Sequence, residues 1–551
     1  MIRDQEHPYI PTLKRQLRES KASRREFLWT ATMLGMSSAA AYAFADRVVS
    51  GLSRPAHAAS SPSGTLRIAM PIDEVTRPFT IDSPQRSNLT RQVLDFLTRT
   101  GPDNITRPSL LSGWTPNEDL TSWTLTLRDD VKFHSGRKFA ADDLIWNLQF
   151  ALDEANGSST VGLFTGTLLE QYEENGQKHT RLWDANAIEK VDDHTVRLNL
   201  KTPQLAIPEF LFHYGLPMMD PESNGIFGPG ANGTGPFELV EFQPRRNAKF
   251  VARPDYWGEG PHLESFEFVD LGDDPNAAIG ALAAGQIDGT YEADTAQYEA
   301  LKQIPDLVLY TASTGATGLI RGKVTMAPWS DVRVRNALRR ASNPEAAVAV
   351  ALQGLGDPGE HHHVAPIHPE YAKLPPFKRD VEEAKRLLAE AGFPNGLDLE
   401  LNVPAQYGYL VKMAEATVEH WQEAGIRVSL KLLPASQYAE AWSKAPFGIT
   451  RWSHRPLGTM ALALSYVSDA PWNDSEYKNA DFDAALRKAQ GTVDVEKRRE
   501  HMAVIEKIMQ EDGPVIQPIW KSIFTFMHKR VTNFKMHPTL YVFANELAVQ
   551  A

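Results

Sequence analysis

The sequence predicts an α/β protein, and three observations predict it. "LDLELNV" alternates apolar and polar residues from Leu397 to Val403. Leu410, Met413, Ala414, Thr417, Val418 and Trp421 then form one apolar helical stripe, and "IRVSLKL" alternates again beyond Gly425. A strand–helix–strand succession at this spacing favours parallel pairing through a helical crossover. Capping signals flank this unit. Asn343 caps a helix with Pro344 at its first position and Gly354 past its end. Asp380 and Glu383 are spaced as a capping box, and Gly392 closes that helix.

The first half is richer in strands. Thr65 to Met70 reads as a first strand, "TLTL" alternates around Leu125 and Leu127, and "VKF" around Val131 and Phe133. Gly136 turns the chain, and Asp142 is placed to cap a helix with Leu144, Ile145, Leu148 and Leu152 on one face. "HTVRLNL" is a further strand, Gly233 and Gly235 fit a tight turn, and "FELVEFQPRRNAKFVA" is a hairpin about Pro244 to Asn247. No repeat of solenoid period is present.

Residues 23–45, "SRREFLWTATMLGMSSAAAYAFA", stand apart. The apolar run is interrupted by Thr30, Thr32, Gly35, Ser37 and Ser38, too weak for a span of about 20 strongly apolar residues. Basic residues precede it and Ala56-His57-Ala58 offers a small-residue cleavage pattern, with Ala43-Phe44-Ala45 as a second choice. Ser23-Arg24-Arg25-Glu26-Phe27-Leu28 resembles the twin-arginine export motif, so residues 1–58 are expected to be a twin-arginine signal peptide. The alternative is an amphipathic N-terminal helix. No later run of 18 apolar residues occurs and the chain has no cysteine to carry lipid, which points to a protein free in the periplasm.

Charge and composition exclude other classes. The 551 residues carry a net charge of −12; residues 1–58 hold nine Lys/Arg and five Asp/Glu, so the remainder is more acidic still. Such a body disfavours nucleic acid as a partner. The absence of cysteine removes disulfides, thiolate metal sites and cysteine nucleophiles. No G-x-S-x-G, H-E-x-x-H, Walker or dinucleotide motif is present, so no catalytic residues and no cofactor are expected. "GEHHHVAPIH" offers His361, His362, His363 and His368, but adjacent residues on an extended loop point different ways. The expectation is an exposed loop that touches ligand or flexes, with no metal site.

"PSLLSGWTPNEDLTSWTLTLRDDVKFHSGRKFAADDLIWNLQFAL" resembles the signature of the family 5 extracellular solute-binding proteins, the dipeptide, oligopeptide and nickel binders of ABC importers. "GTGPFELVEF" with "ARPDYW", "ALAAGQIDG", "PWSDVRVRNALRRA", "FKRDVEEAKRLLAEAGFPNG" and "WNDSEYKNADFDAALRKA" follow in the family's order, over residues 64–535. The resemblance implies a two-lobed periplasmic binding protein fold (type II, cluster C) with an additional inserted domain. Lobe I then takes 64–100, 213–322 and 516–551, the inserted domain 101–212, and lobe II 323–515. It implies a monomer that closes around a small organic or peptide-like solute and delivers it to ABC permease subunits.

Peptide-binding members commonly place an aspartate in a lobe II segment to meet the peptide ammonium. Here that segment, 445–468, contains no Asp or Glu and presents Arg451, Trp452, His454 and Arg455. With Tyr407 and Trp472 these are the expected ligand-binding residues, and their charge suits an anionic solute. A nickel or metal-chelate binder of the same family and a periplasmic enzyme are the alternatives.

Overall fold

Leu397–Pro404 and Ile426–Leu433 pair in parallel from Leu397↔Ile426 to Pro404↔Leu433, and the helix Gly408–Gln422 makes the crossover. The apolar stripe on that helix turns inward. Leu410, Met413, Val418 and Trp421 are buried with Leu401, Val403, Ile426 and Ile449. The buried Trp421 indole N–H donates to the Leu338 carbonyl and the Ser342 hydroxyl, both at 2.9 Å, which offsets the cost of burying a donor.

The computed structural model describes residues 7–49, 62–470 and 472–550. They fall into two compact units, Met1–Thr311 with Phe524–Ala551, and Ala312–Ile523. The chain passes between the units within the strands Leu307–Gly322 and Ile519–His528. In the second unit Phe447–Trp452 lies between two neighbours. It runs parallel to Leu397–Pro404 through Asn402↔Gly448, and antiparallel to residues 317–322.

Two sheets in the first unit have more than two strands. In one, Thr65–Ala69 pairs in parallel with Ser265–Val269 and Gly289–Thr290, and the hairpin Phe237–Gln243/Asn247–Ala252 extends it. In the other, Leu111–Pro116, Ser122–Leu127, Thr195–Asn199 and Ile188–Asp192 are antiparallel neighbours. The helix Ala141–Leu152 packs on this second sheet. Preceding both sheets, Ile10–Arg18, Arg24–Met33 and Ser38–Val49 are helices. The cleavage pattern Ala56-His57-Ala58 lies outside the described residues. Among the described residues no helix is long and apolar enough to cross a membrane.

Two local expectations are corrected, and a third gains a further reason. The cap of the helix Ala141–Leu152 is Ala140, not Asp142. Asp143, third in the helix, reaches back to accept the Ala140 N–H at 2.9 Å, while Asp142 points to solvent and pairs with Lys190. Asp380 accepts the Glu383 N–H at 2.9 Å, but the reciprocal half of the box is replaced. The Asp380 N–H goes to the Arg340 carbonyl, and the Glu383 carboxylate turns outward to Arg386. Gly233 and Gly235 serve close approach: a Cβ on either would stand 2.0–2.6 Å from the Val93 carbonyl oxygen, and the Gly235 N–H donates to that oxygen at 2.8 Å.

Candidate functional site

In an open α/β sheet, side chains that meet ligand gather beyond the carboxyl ends of the strands. In the second unit Tyr407 stands there, three residues past Leu397–Pro404 and at the cap of the helix Gly408–Gln422. Arg451 and Trp452 close the neighbouring parallel strand Phe447–Trp452. Successive strand residues face opposite ways, and the structure sorts the predicted residues accordingly. Arg451 is exposed, with its guanidinium 4.7 Å from the Tyr407 ring centre. Trp452 is buried on the other face, 5.8 Å from the Trp472 ring. The Arg455 guanidinium lies 5.9 Å from that same Trp472 ring, so Trp472 joins Trp452 to Arg455. The six predicted residues thus form two groups: Tyr407 with Arg451, and Trp452, Trp472 and Arg455 with His454 adjoining.

The loop that carries His454 and Arg455 is fixed from behind. The His454 Nδ1 accepts the Gly315 N–H at 3.0 Å, and its ring stacks on His368 at 6.0 Å. The His368 Nε2 hydrogen-bonds to the Arg455 carbonyl at 3.1 Å, while its Nδ1 accepts the Ala365 N–H. Gly315 is required by this packing, because a Cβ there would stand 2.7 Å from the His368 Nε2. Arg455 itself is only 6% exposed, so it is a buried cation beside the Trp472 ring.

The histidine run is not an exposed loop. His361, His362 and His363 are each at most 1% exposed. The His361 Nδ1 accepts the Gln517 N–H, and the His363 Nδ1 meets the Tyr466 hydroxyl at 2.9 Å. The His362 Nε2 faces Glu360 at 3.6 Å and Glu506 at 3.8 Å. Left-handed backbone at His361 and His363 swings the rings apart, as expected of consecutive residues. Desolvation holds His362 and His363 at about 3, neutral at any ordinary pH. Among the described residues no group of three or more His, Cys, Asp or Glu side chains is arranged to hold a metal ion. Behind His362, burial pushes the Glu506 carboxyl up to about 9, and Glu360 and Glu370 are raised for the same reason.

The acid-free segment 445–468 receives carboxylates from elsewhere, which its own residues do not reveal. Glu370 accepts the Thr459 N–H at 3.0 Å, Asp483 accepts the Ser468 hydroxyl at 2.6 Å, and Asp474 binds Thr450 and the buried Arg321. Sequence reasoning also missed the aromatic wall behind Trp452. His363 lies 5.2 Å from Trp452 and 6.2 Å from Trp520, which is itself buried, and Lys521 sits 4.8 Å from the Tyr409 ring. Only the aromatic character of these widely separated residues hinted at it.

The first unit contains a cavity of about 190 Å³ with Asp95, Arg99, Arg128, Tyr256 and Trp257 in its lining. Its charges are largely used internally. Arg99 pairs with Glu546 at 2.5 Å, Arg128 with Asp130 at 2.6 Å, and Asp95 accepts from Trp257, Thr234 and Tyr256.

Comparison with known proteins agrees with this architecture. The family model for the middle region of bacterial extracellular solute-binding proteins, family 5, matches residues 106–474. Heme-binding protein A of Haemophilus influenzae is 25% identical over 79% of this chain and 82% of its own length. The glutathione-binding protein GsiB of Pectobacterium atrosepticum is 27% identical over 78% and 83%. The periplasmic binding protein DppA of Helicobacter pylori, solved with the peptide STSA, superposes with a TM-score of 0.75 at 20% identity. That match covers 89% of this chain and 99% of the other.

Proposed function

Because the chain belongs to the bacterial extracellular solute-binding proteins, family 5, we propose that it is the periplasmic substrate-binding component of an ABC importer. It captures a peptide-like or other small organic solute and delivers it to the membrane permease. In this reading residues 101–212 are the inserted domain and residues 323–515 are lobe II. We assign the hinge to the two chain crossings at 311/312 and 523/524. Export by the twin-arginine route, through Arg24 and Arg25, is part of the same reading.

The preferred solute carries a carboxylate or phosphate. The observation that supports this is the grouping of Arg455 with Trp452 and Trp472 at the end of a parallel strand, on a segment without an acid of its own. A guanidinium fork matches an oxyanion, and the indoles supply flat apolar contact. Glutathione and heme, for which the two relatives are named, both bear carboxylates. The metal-chelate alternative relies on His361 to His363, whose rings are buried and turned to protein partners.

Mass spectrometry of small molecules released on denaturing the purified protein tests the proposal. An unaltered anionic organic solute is expected, and adding it back at one hundred times its Kd stabilises the fold by about 2.7 kcal/mol. Release of a bare nickel complex, or conversion of the added solute into product, contradicts it.

A further inference from the structure

The N-terminal helices are seated on the first unit. Ser23 caps the helix Arg24–Met33 through a complete capping box with Glu26, so the helix starts at the arginine pair. Arg24 and Arg25 face solvent, while Phe27, Leu28, Trp29 and Met33 are at most 2% exposed. The Trp29 indole N–H donates at 2.8 Å to Glu209, a buried carboxylate that also accepts the Thr106 hydroxyl at 3.0 Å. In the opposite sense, the Trp114 indole N–H donates to the Met33 carbonyl at 3.0 Å. Gly35 passes so close to Trp114 that a Cβ would lie 2.6 Å from its carbonyl oxygen. Further along, the Tyr42 hydroxyl bonds to Asp103 and accepts from Arg107 at 2.7 Å, and Phe44 packs on Phe27 at 5.3 Å.

These contacts join an apolar helix face to three separate polar anchors, and the seat is built from strands and turns that exist only once the first unit has folded. Thr106 lies in the strand Thr106–Pro108, Trp114 in Leu111–Pro116, and Glu209 in the short helix Ile207–Phe210. Burying an indole N–H against a carboxylate is specific as well as favourable, because either group left alone in that site bears a desolvation cost.

We propose that this face of the first unit is an interaction surface whose partner is the chain's own residues 9–45, a detachable cap that docks on the folded domain and masks Phe27 and Leu28, the apolar half of the arginine motif. Docking stands on the contacts above. The masking consequence rests on the export reading: the receptor for the motif and the seat at Glu209 compete for the same two side chains, so the cap must lift before export.

The test uses the full chain with a specific protease site introduced between residues 51 and 60. After folding and cleavage, the N-terminal fragment is expected to co-elute with the body at micromolar concentration, and amides of residues 27–36 to exchange slowly in the uncut protein. Trp29→Ala, which removes the indole donor to Glu209 and changes no residue of the body, should weaken retention at least tenfold. Immediate separation of the wild-type fragment, with exchange as fast as in a free peptide, overturns docking. Tyr42→Ala loosens the cap outside the motif and should speed conversion of precursor in cells by twofold or more. An unchanged rate although the Tyr42→Ala cap is retained more weakly overturns masking. Export that survives Arg24→Lys with Arg25→Lys overturns the export reading and the masking built on it, and leaves docking to be judged by retention.

Discussion

Residues 361–363 and residues 451–455 lie in the same unit, and both read as ligand-binding candidates by composition. They differ in where their polar atoms go. The histidine rings are sealed in the interior and turned to Gln517, Tyr466 and the carboxylates of Glu360 and Glu506. The second segment ends a parallel strand and lays its cations against aromatic faces, with Arg451 open to solvent. Position at the end of a strand leaves Arg451 open to solvent, whereas the histidine run is closed within the fold.

The largest effect that sharpens this contrast is on stability. His363→Ala removes a ring packed between Trp452 and Trp520 together with the Tyr466 hydrogen bond. It should cost about 2–4 kcal/mol of unfolding free energy, read by denaturant titration. A melting profile unchanged from wild type would return the histidines to the surface and dissolve the contrast.

Next in size is a split between the two arginines. Arg455→Ala should weaken the native solute by about one to two orders of magnitude, as expected for loss of a buried charged hydrogen bond of roughly 1.5–3 kcal/mol. It should also lower the melting temperature, because Arg455 is buried. Arg451→Ala, on an exposed side chain, should leave melting within about 0.5 kcal/mol of wild type. Calorimetric titration beside thermal melts separates the two, and equal behaviour of both variants breaks the distinction.

The smallest effect is the pH response of the histidine side. The Glu506 carboxyl is raised to about 9 in the fold, so its contribution is complete below the ordinary carboxylate pKa and is lost as pH rises from there through about 9. Glu506→Gln keeps the group neutral and its acceptor oxygen for the Ala372 N–H. Its melting temperature should fall less steeply than that of wild type between about pH 5 and 9, a difference of about 3–6 °C at the alkaline end. Parallel melting curves across that range would mean Glu506 is ionised in the native protein.

Much of the fold was legible because short-range patterns suffice for it. The register Leu397↔Ile426, the crossover helix and the Asn343 cap all follow from residues within about 30 positions of one another. The site was legible only in part. Strand alternation separates Arg451 from Trp452, but no local pattern says that Trp472 bridges Trp452 to Arg455. Nor does one say that Glu370, Asp474 and Asp483 supply the carboxylates segment 445–468 lacks. The histidine run was misjudged because burial of a polar run depends on partners such as Tyr466 and Gln517, more than 100 residues away.

The claim at the centre is that the second unit selects an anionic solute through Arg455. Its most direct measurement compares, by titration calorimetry, the solute released from the protein with the same molecule after its carboxylate is converted to an amide or its phosphate to a neutral ester, on wild type and on Arg455→Ala. The account predicts that neutralising the anion weakens wild-type binding at least tenfold and that Arg455→Ala loses most of this discrimination. Equal affinity of wild type for the charged and neutral forms would contradict it.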